Sequence, residues 1–518
     1  MILNIFAINL LRENSCELCM LIPEELIIEL KKIVGMENVS VDPVELYVYG
    51  TDASQRIVPP GVIVKPLSTA EVVSIINLCH KYHVSITPRG AATSFAGQDL
   101  NLTGGILCDM RRMDKILEIN IQDRIVRAQP GILYGKLNLA LKKVGYFFPP
   151  EPGSAEFCTL GGMIANNASG HRSVKYGPTR EHVLDLEVVL PNGEVIHTGG
   201  RFLKSAATYD LTQLFVGSEG TLGIITEATI KITPFPKFRE MYIVSFNDMG
   251  KSAECAIALL TQGIIPEAME ILTSFAIGMI QGGFPTLPPP ETMQEGGSML
   301  ILEVAGTTPE VVLSEGRMVE EICQKYAIDV RHVADEVERE KIWHNRHSIT
   351  QQLSKARQDK LINAIVMDIG VPLSQVPKTI ERIHELTKQE GMPKLVTIYG
   401  HIGDGNLHVG TTADNSTEAM RSITNKFTEV VLDIVKAAGG TLTAEHGTGF
   451  LKGMYVENIV GKPYMEVVRA IKHALDPSNL LNPGQMGLDF EPFGGAKPPD
   501  QFVKLGQEFA TTSKERGV

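Results

Sequence analysis

The chain has 518 residues, 43% of them hydrophobic and 21% charged, which at about 100–200 residues per domain gives two to four domains with their own cores and excludes a disordered chain. A formal net charge of −12 without any long Lys/Arg run excludes a duplex nucleic-acid binder, which needs a basic footprint to displace phosphate counterions. No apolar run reaches the ~18 residues that span a bilayer, so no transmembrane segment is expected and the ligands are small molecules or proteins.

Residues 1–21 are apolar at the start but have no basic residue ahead of that stretch and no small-residue cleavage signal. They read as an N-terminal extension rather than a secretory signal. Seven cysteines, an odd number, do not make a disulfide framework in so long a chain. A reducing cytoplasm is the simplest setting, with any membrane association made through a partner. Cys16 and Cys19 form a lone CxxC, read as free thiols because zinc and iron-sulfur sites need further ligands at fixed spacing.

From residue 22 short apolar runs alternate with helical stretches, as in a mixed α/β chain. Residues 61–66 read as a strand ended by Pro66, and 69–82 as an amphipathic helix with Ser68 as N-cap. Residues 84–87 read as the next strand. Between Pro88 and Pro236 lie strands with glycine-rich connections and one evident further helix, 134–144, and Pro234-Phe235-Pro236 marks a boundary. Beyond it, 241–246, 252–261, 266–272, 299–304, 309–326 and 363–369 alternate strand and helix in the manner of a βαββαβ layer. A proline-rich loop, 284–290, interrupts that layer. Helices at 416–438 and 464–475 then lead to Asn482-Pro483-Gly484. The expected division is an extension (1–21), a first domain (22–236), a cap domain (237–445), a C-terminal helical segment (446–487) and a tail (488–518).

Four segments of the first domain pair glycines with small polar residues: Pro88-Arg89-Gly90-Ala91-Ala92-Thr93-Ser94-Phe95-Ala96-Gly97, Glu151-Pro152-Gly153-Ser154, Thr159 to Gly170, and Gly217-Ser218-Glu219-Gly220-Thr221-Leu222-Gly223-Ile224-Ile225-Thr226. Such segments let main-chain N–H groups close on an anion or a flat ligand. The first is neither a P-loop, which ends in Gly-Lys-Ser/Thr, nor a GxGxxG opening a helix.

In this order the segments resemble the FAD-binding domain of the vanillyl-alcohol oxidase and p-cresol methylhydroxylase superfamily. Over residues 35–487 the chain is similar to its branch of glycolate oxidase FAD subunits, D-lactate dehydrogenases and D-2-hydroxyglutarate dehydrogenases. The resemblance implies an α+β fold: a two-part FAD-binding domain, an α/β cap domain that holds substrate, and a C-terminal helical segment returning to the FAD domain. It implies that Arg89, Gly90, Ala91, Ala92, Thr93 and Ser94 hold the FAD pyrophosphate, and that Pro152, Gly153 and Ser154 with Thr159, Gly162, Asn166 and Ser169 line the flavin. Gly220, Gly223 and Ile225 would meet the adenosine end, and Asn482 would complete the cofactor site. No motif for a covalent link is present, so FAD is expected to be bound non-covalently. Relatives carry Gly-Gly-Gly-Thr or Gly-Ala-Gly-Thr where this chain has Gly-Ala-Ala-Thr, a change tolerable where the second Ala does not need positive φ.

Tyr399-Gly400-His401-Ile402-Gly403-Asp404-Gly405-Asn406-Leu407-His408 follows a strand, and Gly-Asp-Gly is strong turn chemistry. A turn centred on Asp404 and Gly405 would make His401 and His408 cross-strand partners, ~4.5–5.5 Å apart at Cβ. Leu442-Thr443-Ala444-Glu445-His446-Gly447 offers a carboxylate and a third imidazole. Two His and one Glu suit zinc or another divalent metal with open positions. Adjacent residues of a regular strand face opposite ways, so Glu445 and His446 can share a site only where the backbone is irregular. The resemblance carries metal ligation onto His401, His408 and Glu445, and the catalytic base onto His446. Residues 340–350 read as helix with Arg346 and Thr350 on one face, either solvated or forming a carboxylate fork. The resemblance makes these two, with Asn406, the substrate binders.

The implied reaction is FAD-dependent dehydrogenation of a small 2-hydroxy acid to its 2-oxo acid. Without an iron-sulfur motif in the chain, electrons would leave to an iron-sulfur subunit, an electron-transfer flavoprotein, a cytochrome or a quinone system. In the hydroxyglutarate branch a Lys is expected two positions before the Asp of Asp-x-x-x-Pro. Here Asp368-Ile369-Gly370-Val371-Pro372 is preceded at that place by Val366, beside Ala364 and Ile365. An apolar pocket penalises a second carboxylate, which favours glycolate or D-lactate over D-2-hydroxyglutarate or D-malate. A flavin-free metallohydrolase leaves the glycine segments unexplained, and a non-catalytic FAD carrier has no need of the His and Glu cluster.

Overall fold

The computed structural model describes residues 22–488 apart from 55, 281–295, 348, 350–361, 394–395 and 415–417. The extension, the tail from 489, the CxxC, the proline-rich loop and Thr350 lie outside the described residues. The hydroxyl of Ser68 accepts the Glu71 N–H and starts the helix Thr69–Tyr82, which buries Val72, Ile75, Ile76 and Cys79 and stops at His83 in a left-handed conformation. Together with helix Glu24–Val34 it shares a core with a four-stranded sheet ordered Val39–Ser40, Val62–Val64, Ile106–Asp109, Ile86–Arg89. A second, antiparallel sheet runs Ile116–Asn120, Ile125–Ala128, Ile224–Lys231, Val183–Val189, Val195–His197.

Three details of this domain depart from the sequence reading. The strand expected from residue 84 begins at Ile86, and the helix expected to end at 144 ends at Lys142. A helix, Leu160–Asn166, occupies part of the third glycine segment, with the Thr159 hydroxyl accepting the Gly162 N–H. Glycine costs ~1 kcal/mol in a helix, which hid it from a propensity argument. Gly161 is required by packing, since a Cβ there would lie 2.6 Å from Pro130 Cβ.

The cap is a seven-stranded antiparallel sheet ordered Asp329–Val333, Phe238–Phe246, Ser298–Gly306, Ala268–Thr273, Val396–Gly400, Asn406–Asp414, Ile362–Gly370. The period of two in each strand divides its faces. Val244, Met269, Ile271, Leu302, Met367, Ile369, Leu407 and Val409 pack under helices Met249–Thr261, Pro309–Cys323, Val376–Leu386 and Glu418–Ala437. The alternate positions place Glu270, Asp368, Tyr399 and His408 on the other face. That face meets the first domain, where Lys175 Nζ donates to the Ala305 carbonyl at 2.8 Å and Arg172 pairs with Glu267 at 3.5 Å. The short polar strand Asp329–Val333 and the helix Val376–Leu386 were not foreseen.

Helices Gly453–Val460 and Lys462–Leu475 carry the chain back to the first domain. There the buried Lys472 Nζ donates to the Thr221 and Leu481 carbonyls, both at 2.8 Å, and to Asp476.

Candidate active site

The hairpin that supplies two of the imidazoles is built differently from expectation. Tyr399, not His401, pairs across the strands with His408. A 3₁₀ turn, Ile402–Asp404, takes up the connection, closed by Gly405 at φ 79°. His401 therefore sits just outside the ladder, yet its ring meets that of His408 edge to face with centroids 5.3 Å apart.

Glu445 is the point on which the site converges. Its Oε1 lies 3.3 Å from His401 Nε2, 3.3 Å from His408 Nε2 and 3.7 Å from His446 Nε2. The His408 and His446 rings are parallel at 5.1 Å. Glu445 and His446 share the site because residues 443–449 form no regular strand. Instead, the Ala444, Glu445 and His446 N–H groups donate to one oxygen of Asp368, Oδ2, at 2.9, 2.8 and 2.8 Å. Among the described residues, ligating atoms of Asp368, His408, Glu445 and His446 lie within 4.8 Å of one another. With Asp368 Oδ2 taken by main-chain donors and Oδ1 by Asn406 Nδ2 at 2.6 Å, His401, His408 and Glu445 are the better ligand set. The fit to a cation is visible in what is left over. Glu445 Oε2 is buried with no hydrogen-bond partner, while three imidazoles face its other oxygen.

Charge is arranged to match. Burial resists ionisation of Glu445, but His401 and His408 outweigh it and hold the carboxyl well below its usual range. Burial also opposes a charged His401, and Glu270 and Glu445 overcome this to raise its pKa well above the ordinary imidazole value. His446 is the exception. Burial pushes it down to about 4 against the pull of Asp368, which leaves a neutral ring able to accept a proton.

Glu270, in the middle of the apolar strand Ala268–Thr273, was missed in the sequence. It is fully buried and accepts from His401 Nδ1 on one oxygen and from Arg346 on the other, at 2.8 Å from Nε. Arg346, on helix Glu336–His347, is thus oriented by a carboxylate of the protein and lies over the Tyr399 ring. Residue 349 is helical as well, and Thr350, the expected companion of Arg346, lies outside the described residues. Asn406 spends its amide nitrogen on Asp368 Oδ1 and the Ile369 carbonyl, and its Oδ1 is buried without a partner.

On the cofactor side, the condition attached to the Gly-Ala-Ala-Thr loop is not met. Ala92 does adopt a positive φ, 59°, a conformation that costs a non-glycine residue ~1–2 kcal/mol. Gly90 passes so close to Thr159 that a Cβ would lie 2.4 Å from its Oγ1, whereas Gly153 faces open space. These segments therefore keep a side-chain-free approach for a flat, anionic group, as FAD requires. The Arg89 guanidinium is used internally, by Asp99 at 3.0 Å and the Thr51 carbonyl at 2.7 Å. Asn482 is a clasp as well: its Nδ2 donates to the Gln98 and Glu219 carbonyls at 2.7 and 2.8 Å, and its Oδ1 accepts from Thr87. Gly223 is needed for packing, a Cβ there falling 2.3 Å from Val188, and Ile225 sits in the sheet opposite Val188.

Residues 235–486 match the family described as FAD linked oxidases, C-terminal domain, and residues 60–199 match the FAD binding domain family. The chain is 33% identical over 465 residues to the glycolate oxidase subunit GlcD of Bacillus subtilis, which spans 88% of this chain and 96% of that protein. Similarity to the mitochondrial D-lactate dehydrogenase (cytochrome) of Arabidopsis thaliana is 34% over 480 residues, 90% of this chain and 80% of that one. The solved structure of p-cresol methylhydroxylase superposes with a TM-score of 0.72 at 16% identity, covering 90% of this chain and 96% of the other, a likeness of fold. The family matches define a flavin-linked oxidoreductase, with a fold like that of p-cresol methylhydroxylase. The chain belongs to the FAD-linked oxidase family. Among the described residues no helix is long and apolar enough to cross a membrane.

Proposed function

We propose that the chain oxidises a small D-2-hydroxy acid, glycolate or D-lactate, to its 2-oxo acid and passes the electrons to a partner redox protein or a quinone system. The observation that carries this reading is the convergence of His401, His408 and a half-buried, neutral His446 on one oxygen of Glu445. The names of the relatives, a glycolate oxidase subunit and a D-lactate dehydrogenase, agree with it. Arg346, turned by Glu270, would hold the substrate carboxylate, and His446 would take the proton of the 2-hydroxyl. The imidazolium so formed is favoured by Asp368, whose charge opposes the burial of His446. FAD would supply the hydride-accepting chemistry that no side chain provides. His401, His408 and Glu445 would hold a divalent cation, zinc being one that suits this donor set, whose chemistry is to lower the pKa of a bound hydroxyl.

The reading is tested by adding glycolate or D-lactate to the purified yellow protein without oxygen, where bleaching of the flavin is expected. A flavin that stays oxidised with every short 2-hydroxy acid overturns it. Substrate size is read from the sequence, where Val366 stands in the place of a lysine; its side chain lies outside what the structure describes. Compared with an artificial acceptor, kcat/KM for glycolate or D-lactate should exceed that for D-2-hydroxyglutarate and D-malate. A dicarboxylate preferred by about tenfold, ~1.4 kcal/mol of transition-state binding, would reverse the assignment. Removal of the metal by a strong chelator, or Glu445→Gln, should cut turnover while FAD stays bound. Full activity in a verified metal-free sample rules the metal out.

A further inference from the structure

The loop that carries Glu445 and His446 has no ladder of its own, and its backbone donors are collected by two carboxylates from opposite sides of the domain junction. Asp368, on the cap strand Ile362–Gly370, takes the N–H groups of Ala444, Glu445 and His446. Glu219, in the turn before the FAD-domain strand Ile224–Lys231, takes those of Thr448 and Gly449 at 2.6 and 2.8 Å. Both side chains are buried. Gln98, just past the glycine-rich loop of the FAD domain, adds a third tie, its Nε2 donating to the His446 carbonyl at 2.6 Å.

Two glycines permit so close a seat. A Cβ on Gly447, at φ 76°, would lie 2.2 Å from Gln98 Nε2 and 2.8 Å from Glu219 Oε1, and one on Gly449, at φ 57°, 1.9 Å from the Ala96 carbonyl oxygen. Lys452 places its ammonium among Asp368, Glu219 and Glu445 and donates to Thr443 Oγ1 at 3.1 Å. Oriented main-chain N–H groups of this kind ordinarily wrap a bound anion. Here the anions are the protein's own carboxylates, and what they fix is the chain between them.

We propose that Asp368 and Glu219 are paired positioning residues that grip the 443–449 loop by its backbone, one from each domain, and so set Glu445 and His446 against both the cap-borne histidines and the flavin loop. Neither carboxylate needs to touch substrate. Their effect is on the placement of the two side chains that do the chemistry, where an error of about 1 Å can cost about 10²-fold in rate.

The test reads the backbone first and the chemistry second, because only the second rests on the oxidation proposed above. In hydrogen exchange followed by mass spectrometry on the FAD-loaded protein, the amides of residues 444–446 and 448–449 should be protected although they belong to no helix or strand. Asp368→Ala should release 445 and 446, while Ala444 keeps the Asp368 main-chain carbonyl, and Glu219→Ala should release 448–449. Asp368→Asn and Glu219→Gln, which keep one acceptor oxygen, should restore part of each. Burial raises the Glu219 carboxyl to about 7 against its two N–H donors, so the measurements belong above neutral pH.

In the same variants, with FAD content unchanged, flavin reduction should slow by about 10²-fold. The isotope effect from C2-deuterated substrate should rise as that step becomes limiting, and the amide variants should recover part of the rate. Unprotected loop amides in the parent, or protection unaltered in the folded variants, overturn the grip. Lost protection with the parental rate and isotope effect overturns the positioning role. A parent protein that no 2-hydroxy acid reduces defeats the proposed reaction instead, and the exchange result still decides the grip.

Discussion

His446→Ala should abolish flavin reduction by substrate while leaving FAD in place. General-base loss ordinarily costs ~10²–10⁴ in rate, and nothing else in the site can take over. His401 Nδ1 is taken by Glu270, and the Nε2 atoms of His401 and His408 both face Glu445, whose carboxyl they hold well below its usual range. Burial pushes the pKa of His446 down to about 4, which leaves its ring unprotonated at neutral pH. The side chain stacks on His408 and lies 5.1 Å from Phe95 at the edge of the glycine-rich loop. Its removal therefore leaves a void beside the flavin loop without breaking any main-chain hydrogen bond. Rapid mixing of the oxidised variant with substrate in the absence of oxygen measures the effect directly. Reduction at the parental rate would exclude His446 as the base.

The imidazoles and Glu445 were legible in the sequence because Gly-rich turns with His and Glu are rare chemistry at conspicuous places. The turn itself was misread. A hairpin centred on Asp404 and Gly405 explained the sequence equally well, and only the register, Tyr399 opposite His408, shows that His401 lies beyond the ladder. The glycine segments announced a cofactor site, but not which atoms serve it. Arg89 and Asn482, expected at the cofactor, also bind Asp99, Thr51, Thr87, Gln98 and Glu219.

What escaped altogether was the set of carboxylates that hold the site. Glu270 stands in Ala-Met-Glu-Ile-Leu and Asp368 in Val-Met-Asp-Ile-Gly, and in each a lone charge interrupts an apolar strand. A charge is rarely buried without a partner, so the interruption was a usable signal. It was passed over because the partners come from strands and loops distant in sequence, His401 being 131 residues from Glu270 and His446 78 residues from Asp368. Pairing of that range depends on the sheet order, which local patterns do not fix.

Glu270 yields the second large effect, and its two variants separate stability from function. Glu270→Ala strands the buried Arg346 guanidinium, which cannot shed its proton, beside a vacated site, and breaking a buried pair in this way costs about 3–5 kcal/mol. A lower Tm is the expected result. Glu270→Gln fills the same volume and can still accept from Arg346, so the fold should survive. The consequence then falls on His401. With Glu270 accepting from Nδ1, the lone pair of the neutral ring is left on Nε2, the atom that faces Glu445 and His408. A glutamine amide that offers N–H to Nδ1 reverses the tautomer and puts the proton on Nε2, where it blocks a cation. Loss of such an outer carboxylate typically weakens metal binding by ~10–100-fold. Metal titration of Glu270→Gln should show that loss, together with slower flavin reduction and unchanged FAD content. Affinity and rate equal to the parent's would mean that Glu270 anchors Arg346 but does not set the orientation of His401.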